Sequence, residues 1–356
     1  MAWRVRWRIA LLVLSLLPAS AVAGDDIGPF RIRDQFLLNM GFLAFDPDTA
    51  RLLPAGTGQA ELIETATNTF AHSESLSRLL DARTTRAPVD LATLRSLPGN
   101  IFYLDGEMYR TALSLRYGLS PRVQVGVTTQ LLGFEEGHLD RLIEGFHDTF
   151  DLAQHGRKGV PRNGYRVYVR ANGTEFYQDE APGFRFGDVV VQAKLGLIDD
   201  STFVLSLETA LQLSHGEPSI YTSGGTDYGA QLLASWQRNG AWWHATFGFL
   251  RLSAHPFGTP DQDLLSGMLA YERRLVPSLS GIVQLTVSES PYRSLNLQEL
   301  SKAALQGSIG VKYRLGRTTW IAALTENLVH FDNTADVGLH LGVNRSFGRR
   351  TDRSAQ

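Results

Sequence analysis

The chain has 356 residues, a formal charge of −2, a hydrophobic share of 43% and a mean hydropathy of −0.11. That balance excludes the strongly basic surface expected of a nucleic-acid-binding protein, and the absence of cysteine excludes disulfides, thiolate metal sites and cysteine nucleophiles together. No P-loop, no dinucleotide-binding glycine pattern behind a strand and no Cys/His cluster is present, so neither a cofactor nor a metal is implied.

Residues 1–23 read as a secretory signal peptide. Arg4, Arg6 and Arg8 form its basic region, Ile9–Leu17 its apolar region, and Ala21-Val22-Ala23 its small-residue cleavage site, which places the mature start at Gly24. The apolar stretch is short for a spanning helix, and no later run of about 18 apolar residues occurs. Export follows, with no transmembrane helix behind it.

The next segment, 24–58, is expected to be a latch or plug. Within it, Phe36–Phe45 is too continuously apolar for a water-facing strand. It is either an extra strand or a piece that enters a lumen, and an even strand count with both termini on one side favours the latch.

From there the chain repeats one pattern, a run of alternating apolar and polar residues followed by a turn. In 201–214, Phe203, Leu205, Leu207, Leu211 and Leu213 share one face, and Thr202, Ser206, Glu208, Gln212 and Ser214 the other. Period two marks a strand wet on one side and apolar on the other, and about ten residues cross a bilayer when tilted. The candidate strands are 59–70, 107–118, 121–133, 187–198, 201–214, 227–238, 241–254, 264–274, 279–290, 303–315, 318–330 and 335–347. The fold class is therefore all-β, a transmembrane antiparallel up-and-down barrel of about twelve strands over 59–347, with both termini in the periplasm. Asp199-Asp200, Asn239-Gly240, Pro277-Ser278, Gly316-Arg317 and Gly118–Pro121 supply tight turns. Long outer loops fall at 71–106 and 134–186.

Lipid-facing sets include Val123, Val125, Val127 and Leu131, then Val189, Val191, Leu195 and Leu197. Two more are Leu305, Ile309, Val311 and Tyr313, and Val337, Leu339, Leu341 and Val343. Tyr109, Tyr117, Tyr228, Trp236, Trp243, Tyr313 and Trp320 sit towards strand ends, where interfacial aromatic girdles form. The lumen lining is assigned to Arg110, Arg116, Lys194, Lys312 and Arg314, opposed by Glu107 and Glu208, with His244 and His340 nearby. Mid-strand charges belong inside because they are costly against lipid. They either pair to fill a narrow interior or form a selectivity lining that slightly favours anions.

An amphipathic helix is expected over 135–152 in the longest loop, its stripe formed by Leu139, Leu142, Ile143, Phe146 and Phe150. Glu144 and His147 have a metal-pair spacing without a second set. The last strand ends on Phe347, with apolar residues stepping back at Val343, Leu341 and Leu339. That resembles the C-terminal insertion signal of bacterial outer-membrane barrels, although Arg345 interrupts the stripe and a polar tail, 348–356, follows.

Several stretches resemble an uncharacterised family of Gram-negative outer-membrane proteins, the domain of unknown function family 3187. They are IRDQF…ARLLPAG, LDGEMYRTALSLRYGLSPRVQVGV, LDRLIEGFHDTFDL, FGDVVVQAKLGL and DVGLHLGVNRSF, in that order across nearly the whole mature chain. The resemblance implies an outer-membrane barrel and brings no catalytic residues. The stretch from Gly187 to Trp236 is also similar to barrels encoded with aromatic-degradation pathways.

The functional expectation is a channel or uptake pore for small solutes, hydrophobic ones included, entering beside the latch. The alternative is a closed structural or interaction barrel acting through its outer loops. An outer-membrane lipid hydrolase ranks third, because a lipid-facing Ser/His pair on a strand would need His-x-Ser, which is absent. The expected partners are outer-membrane lipid, the outer-membrane insertion machinery and a small-molecule solute.

Overall fold

The computed structural model describes residues 26–348, apart from 152–153, 254–256, 258–261 and 330–331. The signal-peptide reading over 1–23 and the tail beyond Gly348 lie outside the described residues.

Fifteen strands form one sheet. The first three are β1 (Thr57–His72), β2 (Ile101–Ser120) and β3 (Val123–Glu135). Three short ones follow, β4 (Arg166–Ala171), β5 (Thr174–Gln178) and β6 (Gly183–Phe186). Then come β7 (Val189–Asp199), β8 (Phe203–Leu213), β9 (Thr226–Arg238), β10 (Ala241–Leu252) and β11 (Gln262–Val276). The last are β12 (Leu279–Ser288), β13 (Ala304–Leu315), β14 (Thr318–Val329) and β15 (Val337–Gly348).

Twelve of them, β1–β3 and β7–β15, pair antiparallel in chain order. The ring closes where β1 meets β15, from Thr57 opposite Gly348 to Asn68 opposite Val337. All twelve expected strands are present. The turns that join them at one end are as tight as expected: Asn239 and Gly240 take φ of 54° and 75°, the left-handed pair of a two-residue hairpin.

Alternation sorts the side chains as period two requires. Val191, Leu195, Leu207, Leu232, Phe247, Val283, Ile309 and Leu341 point outward and are exposed. Gln130, Lys194, Ser206, Gln231, Gln284, Ser308, Thr325 and Asn344 point inward and are buried. Such a continuous apolar outer belt is stable against lipid and not against water. Among the described residues no helix is long and apolar enough to cross a membrane, so strands alone do the crossing.

The loop end carries structure beyond the barrel. β2 starts well before its expected position because Ile101–Asp105 pairs with β4, which in turn pairs with β5. Two short helices, α1 (Glu74–Asp81) and α2 (Leu91–Ser96), lie in the first long loop. Asp90 caps α2 by accepting from the Thr93 amide at 2.7 Å. The expected helix, α3, spans Asp140–Phe150 rather than 135–152, because Glu135 is still in β3.

Candidate functional site: the filled lumen

The lumen is occupied by the chain's own segment 26–56, which rises from the turn end to the loop end and returns. On the ascending leg, Gly28 donates its amide to Glu272 at 2.8 Å and Phe30 to Gln284 at 2.9 Å. At the tip, Phe36, Leu37, Leu38, Met40, Phe42 and Leu43 are buried with Leu104, Met108, Leu132 and Phe134 of the wall. They also meet Tyr292, Leu295, Leu297 and Leu300 of the loop between β12 and β13. Each such side chain contributes about 1.5–3 kcal/mol when fully buried, which explains why the apolar run is so long. On the descending leg, Leu43 donates to Asp227, Ala50 to Ser235 and Leu53 to Gln124, all within 3.0 Å. Gly56 then donates to Gly118 and the chain enters β1.

Asp48 is the ionic centre of this segment. It accepts from Arg31 at 3.1 Å, Arg116 at 3.2 Å and Lys194 at 2.5 Å, all four groups being buried. Arg31 and Arg116 also reach Glu61, at 3.3 and 3.7 Å, and Lys194 reaches Glu208 at 3.6 Å. Glu208 accepts from Gln231 at 2.7 Å. Arg110 lies 3.7 Å from Asp46 and donates to Gln130 at 2.7 Å. Buried charges of both signs thus meet across the plug–wall boundary, which is how such charges are tolerated away from water.

The remaining lining candidates fall around this centre. His244 bonds Ser235 at 2.9 Å and faces Glu272 at 3.7 Å, while His340 bonds Thr65 and Thr325, each at 2.9 Å. Lys312 donates to the Gly28 carbonyl at 2.9 Å, and Arg314 lies half-buried two residues nearer the turn end on the same face. Glu107 requires a correction. It is three residues from Arg110 on a strand without a bulge there, so the two point to opposite faces. Glu107 sits on the outer face, where it accepts from the amides of His138, at 2.8 Å, and Leu139. It therefore fixes the start of α3, which has no side-chain cap of its own.

Of the proposed girdle, Trp236 stacks on Trp243 at 6.2 Å, and Trp243 meets Tyr271 edge-on at 4.9 Å, all beside the tight turns. Tyr313 pairs with Trp320 across the β13–β14 hairpin, and Tyr117 shares that end. Tyr109 and Tyr228 lie towards the loop end. Tyr271 was missed, though its place six residues before the Pro277-Ser278 turn could have identified it. Phe347 also faces outward, its ring packed where a side chain on Gly58 would stand.

Over β1 and β2 the loops form a polar cap. Arg157 bonds Asp140 at 2.7 Å, Asn68 at 2.8 Å and Asp336. Desolvation pushes the Asp336 carboxyl up to about 7, against the pull of Arg157 and with Asp332 adding to the rise. Glu144 is held by Arg86 at 2.8 Å and by Arg162, which removes it as a metal partner for His147. Ser214 and Ser73, which stand next to His215 and His72 in the sequence, spend their hydroxyls on backbone groups.

Two voids lie beside the plug. One of about 70 Å³ includes Ile32, Phe45, Thr246, Thr286 and Gln306 in its lining. Another of about 370 Å³ lies at the turn end, between the two legs. Cross-strand register sets their order. Ser280 is opposite Lys312 at the larger void, Ile282 opposite Gly310 above it, and Thr286 opposite Gln306 at the smaller one. Phe30, Ile32, Ile282, Ile321 and Ala323 form a buried apolar cluster, with Ile282 between the two levels along β12.

A closed barrel that is apolar outside, polar inside and filled by its own N-terminal segment is a plugged transmembrane β-barrel. This chain belongs to DUF3187, a family of proteins of unknown function, whose model matches residues 7–347. No curated protein matches its sequence. In fold it is similar to a crystal structure of an outer membrane channel from Pseudomonas putida F1. That match has 13% identity and a TM-score of 0.50 and covers 85% of this chain and 100% of that one. The NanC porin matches at 10% identity and TM-score 0.43, over 80% of this chain and 98% of its own. The toluene transporter TbuX of Ralstonia pickettii matches at 10% and 0.40, over 93% and 98%. These two are too distant to support more than the comparison itself.

Proposed function

We propose that this protein is a gated outer-membrane channel for small solutes, closed at rest by residues 26–56, with its tight turns in the periplasm and its long loops outside. One observation carries the reading: below its apolar tip the plug is held mainly by polar and charged side chains of a polar wall. A wall of Gln, Ser, Thr, Lys and Arg is compatible with water once the plug shifts, whereas an apolar core would collapse on itself. The polar lining favours polar solutes over the hydrophobic ones considered above. Phe30 and Ile32 of the ascending leg pack on Ile282, Ile321 and Ala323 of the wall, an apolar contact of the kind that gates by excluding water.

A second reading, the closed barrel acting through its loops, draws on the burial of the plug tip among loop residues Tyr292 to Leu300. Planar-bilayer conductance separates the two. The chain lacking residues 26–53 should carry steady current and the full chain should be mostly closed, each checked for folding by the faster gel migration of unboiled sample. Absence of current from a folded, shortened barrel would overturn the channel reading and leave the closed barrel.

A further inference from the structure

The larger void has a charge arrangement that plug docking does not use up. It is enclosed by the ascending leg from Asp26 to Arg31, the descending leg from Asp48 to Pro54, and the wall at Glu61, Arg116 and Lys312. Its carboxylates already have partners, save for Asp26 Oδ2, which meets no donor. Asp48 is taken by Arg31, Arg116 and Lys194. Glu61 faces Arg31 and Arg116 and accepts from Asn344, and Asp26 accepts from Gln59 at 3.3 Å.

Two of its cations are in a different position. The Arg51 guanidinium lies 4.4 Å over the Trp242 ring, and Lys312 donates to a single backbone carbonyl. Among the described residues neither has a carboxylate within salt-bridge distance. Arg116 is 7% exposed, and its Nε meets no acceptor. A volume of about 370 Å³ falls at the small end of the ligand-pocket range. The lining also includes Ile27, Pro29, Leu52, Leu53 and Pro54, which suit a hydrocarbon body better than a fully hydrated ion.

We infer that this turn-end void is a binding site for a small organic carboxylate, its anionic end held by Arg51 and Lys312 and its apolar body against Ile27 and Leu52–Pro54. Charge-assisted hydrogen bonds from two cationic heads supply the affinity, and the apolar patches select against inorganic anions. Because the two heads sit on different elements, the descending leg and β13, a bound carboxylate bridges plug to wall.

The test is calorimetric titration of the folded full chain in nonionic detergent with hexanoate, with inorganic phosphate and hexylamine as comparison probes. Its readout is binding, so its result is independent of whether the barrel conducts. Saturable hexanoate binding is expected, weakened at least about ten-fold by Arg51→Gln and by Lys312→Gln. Lys312→Arg should retain most of it, and Arg251→Gln at the loop end should leave it unchanged. Gel mobility of unboiled samples confirms that each variant is folded. Lack of saturable hexanoate binding, equal binding of hexylamine, or binding untouched in both glutamine variants would overturn the site. Phosphate binding as tightly as hexanoate would overturn its organic-carboxylate class.

Discussion

Replacing Asp48 by Asn is expected to loosen the plug while leaving the barrel intact. Asn keeps the shape of the side chain and one acceptor oxygen but removes the negative charge shared by Arg31, Arg116 and Lys194. Losing one partner of a buried ion pair costs about 3–5 kcal/mol. Glu61 and Glu208, at 3.3–3.7 Å from the same cations, offset part of that loss, so the lower end of the range, about 3 kcal/mol, applies. At about 1.4 kcal/mol per factor of ten, the docked state loses roughly a hundred-fold in population. Single-channel recording should therefore find a far higher open probability for Asp48→Asn than for the unaltered chain. A lock can be built into the same protein. The hydroxyls of Thr49 and Ser235 lie 3.1 Å apart and the chain has no cysteine, so Thr49→Cys with Ser235→Cys can form one clean disulfide across the boundary. The oxidised Asp48→Asn channel should be silent and the reduced one active. A folded Asp48→Asn barrel that stays silent in both redox states would refute the argument.

Three further outcomes follow from contacts outside the lumen. Glu107→Gln should weaken the start of α3 by about 1–2 kcal/mol, read as faster proteolysis within 139–151 with unchanged conductance. A change in conductance instead would return Glu107 to the lumen. Asp336, whose folded pKa is raised to about 7, stays neutral in the cap between its ordinary value near 4 and about 7, while the opened state ionises. Its contribution is thus present at acid pH and lost as pH rises through about 7. The cap should resist protease better at pH 5.5 than at pH 8, and Asp336→Asn should flatten that dependence; the reverse trend would contradict the assignment. Gly58→Val places its Cβ about where the Phe347 ring lies, 2.2 Å away, so the β1–β15 seam should lose about 1–3 kcal/mol. Unboiled samples should then convert to the slow-migrating form at lower temperature, and an unchanged conversion temperature would exclude this packing.

The wall was legible because period two is a local signal: Phe203 to Leu213 alternates visibly, and lipid outside with polar contents inside enforces the alternation on every strand. The latch was legible only as an anomaly. Phe36–Phe45 breaks the period, but nothing near it in sequence says that its partners are Leu104, Phe134 and Tyr292. The ionic centre was half legible for the same reason. Arg116 and Lys194 stood out as mid-strand charges, whereas their common acceptor Asp48 lies in an irregular segment with no period to place it. Glu107 failed on parity, since counting from Arg110 already puts it outside. The α3 boundary failed because its cap comes from a strand some thirty residues away and not from a neighbouring side chain. Strands β4 to β6 are short and pair only with loop or wall-top residues, so they carry no membrane-length pattern.

The order of the elements bears on how the molecule is made. The plug runs straight into β1 through Gly56, with almost no slack, and β1 finds its second neighbour only when β15 has been added. Until the final strand arrives the cylinder is an open curved sheet, and the segment destined for its interior is tethered to one lip of it. The insert thus precedes in the chain every hairpin that encloses it, and the closing seam joins the strand it leads into to the last one. After sealing, the short tether at Gly56 keeps that end of the insert at the turn end, so any opening is a rearrangement within the cylinder and not an ejection of the whole segment.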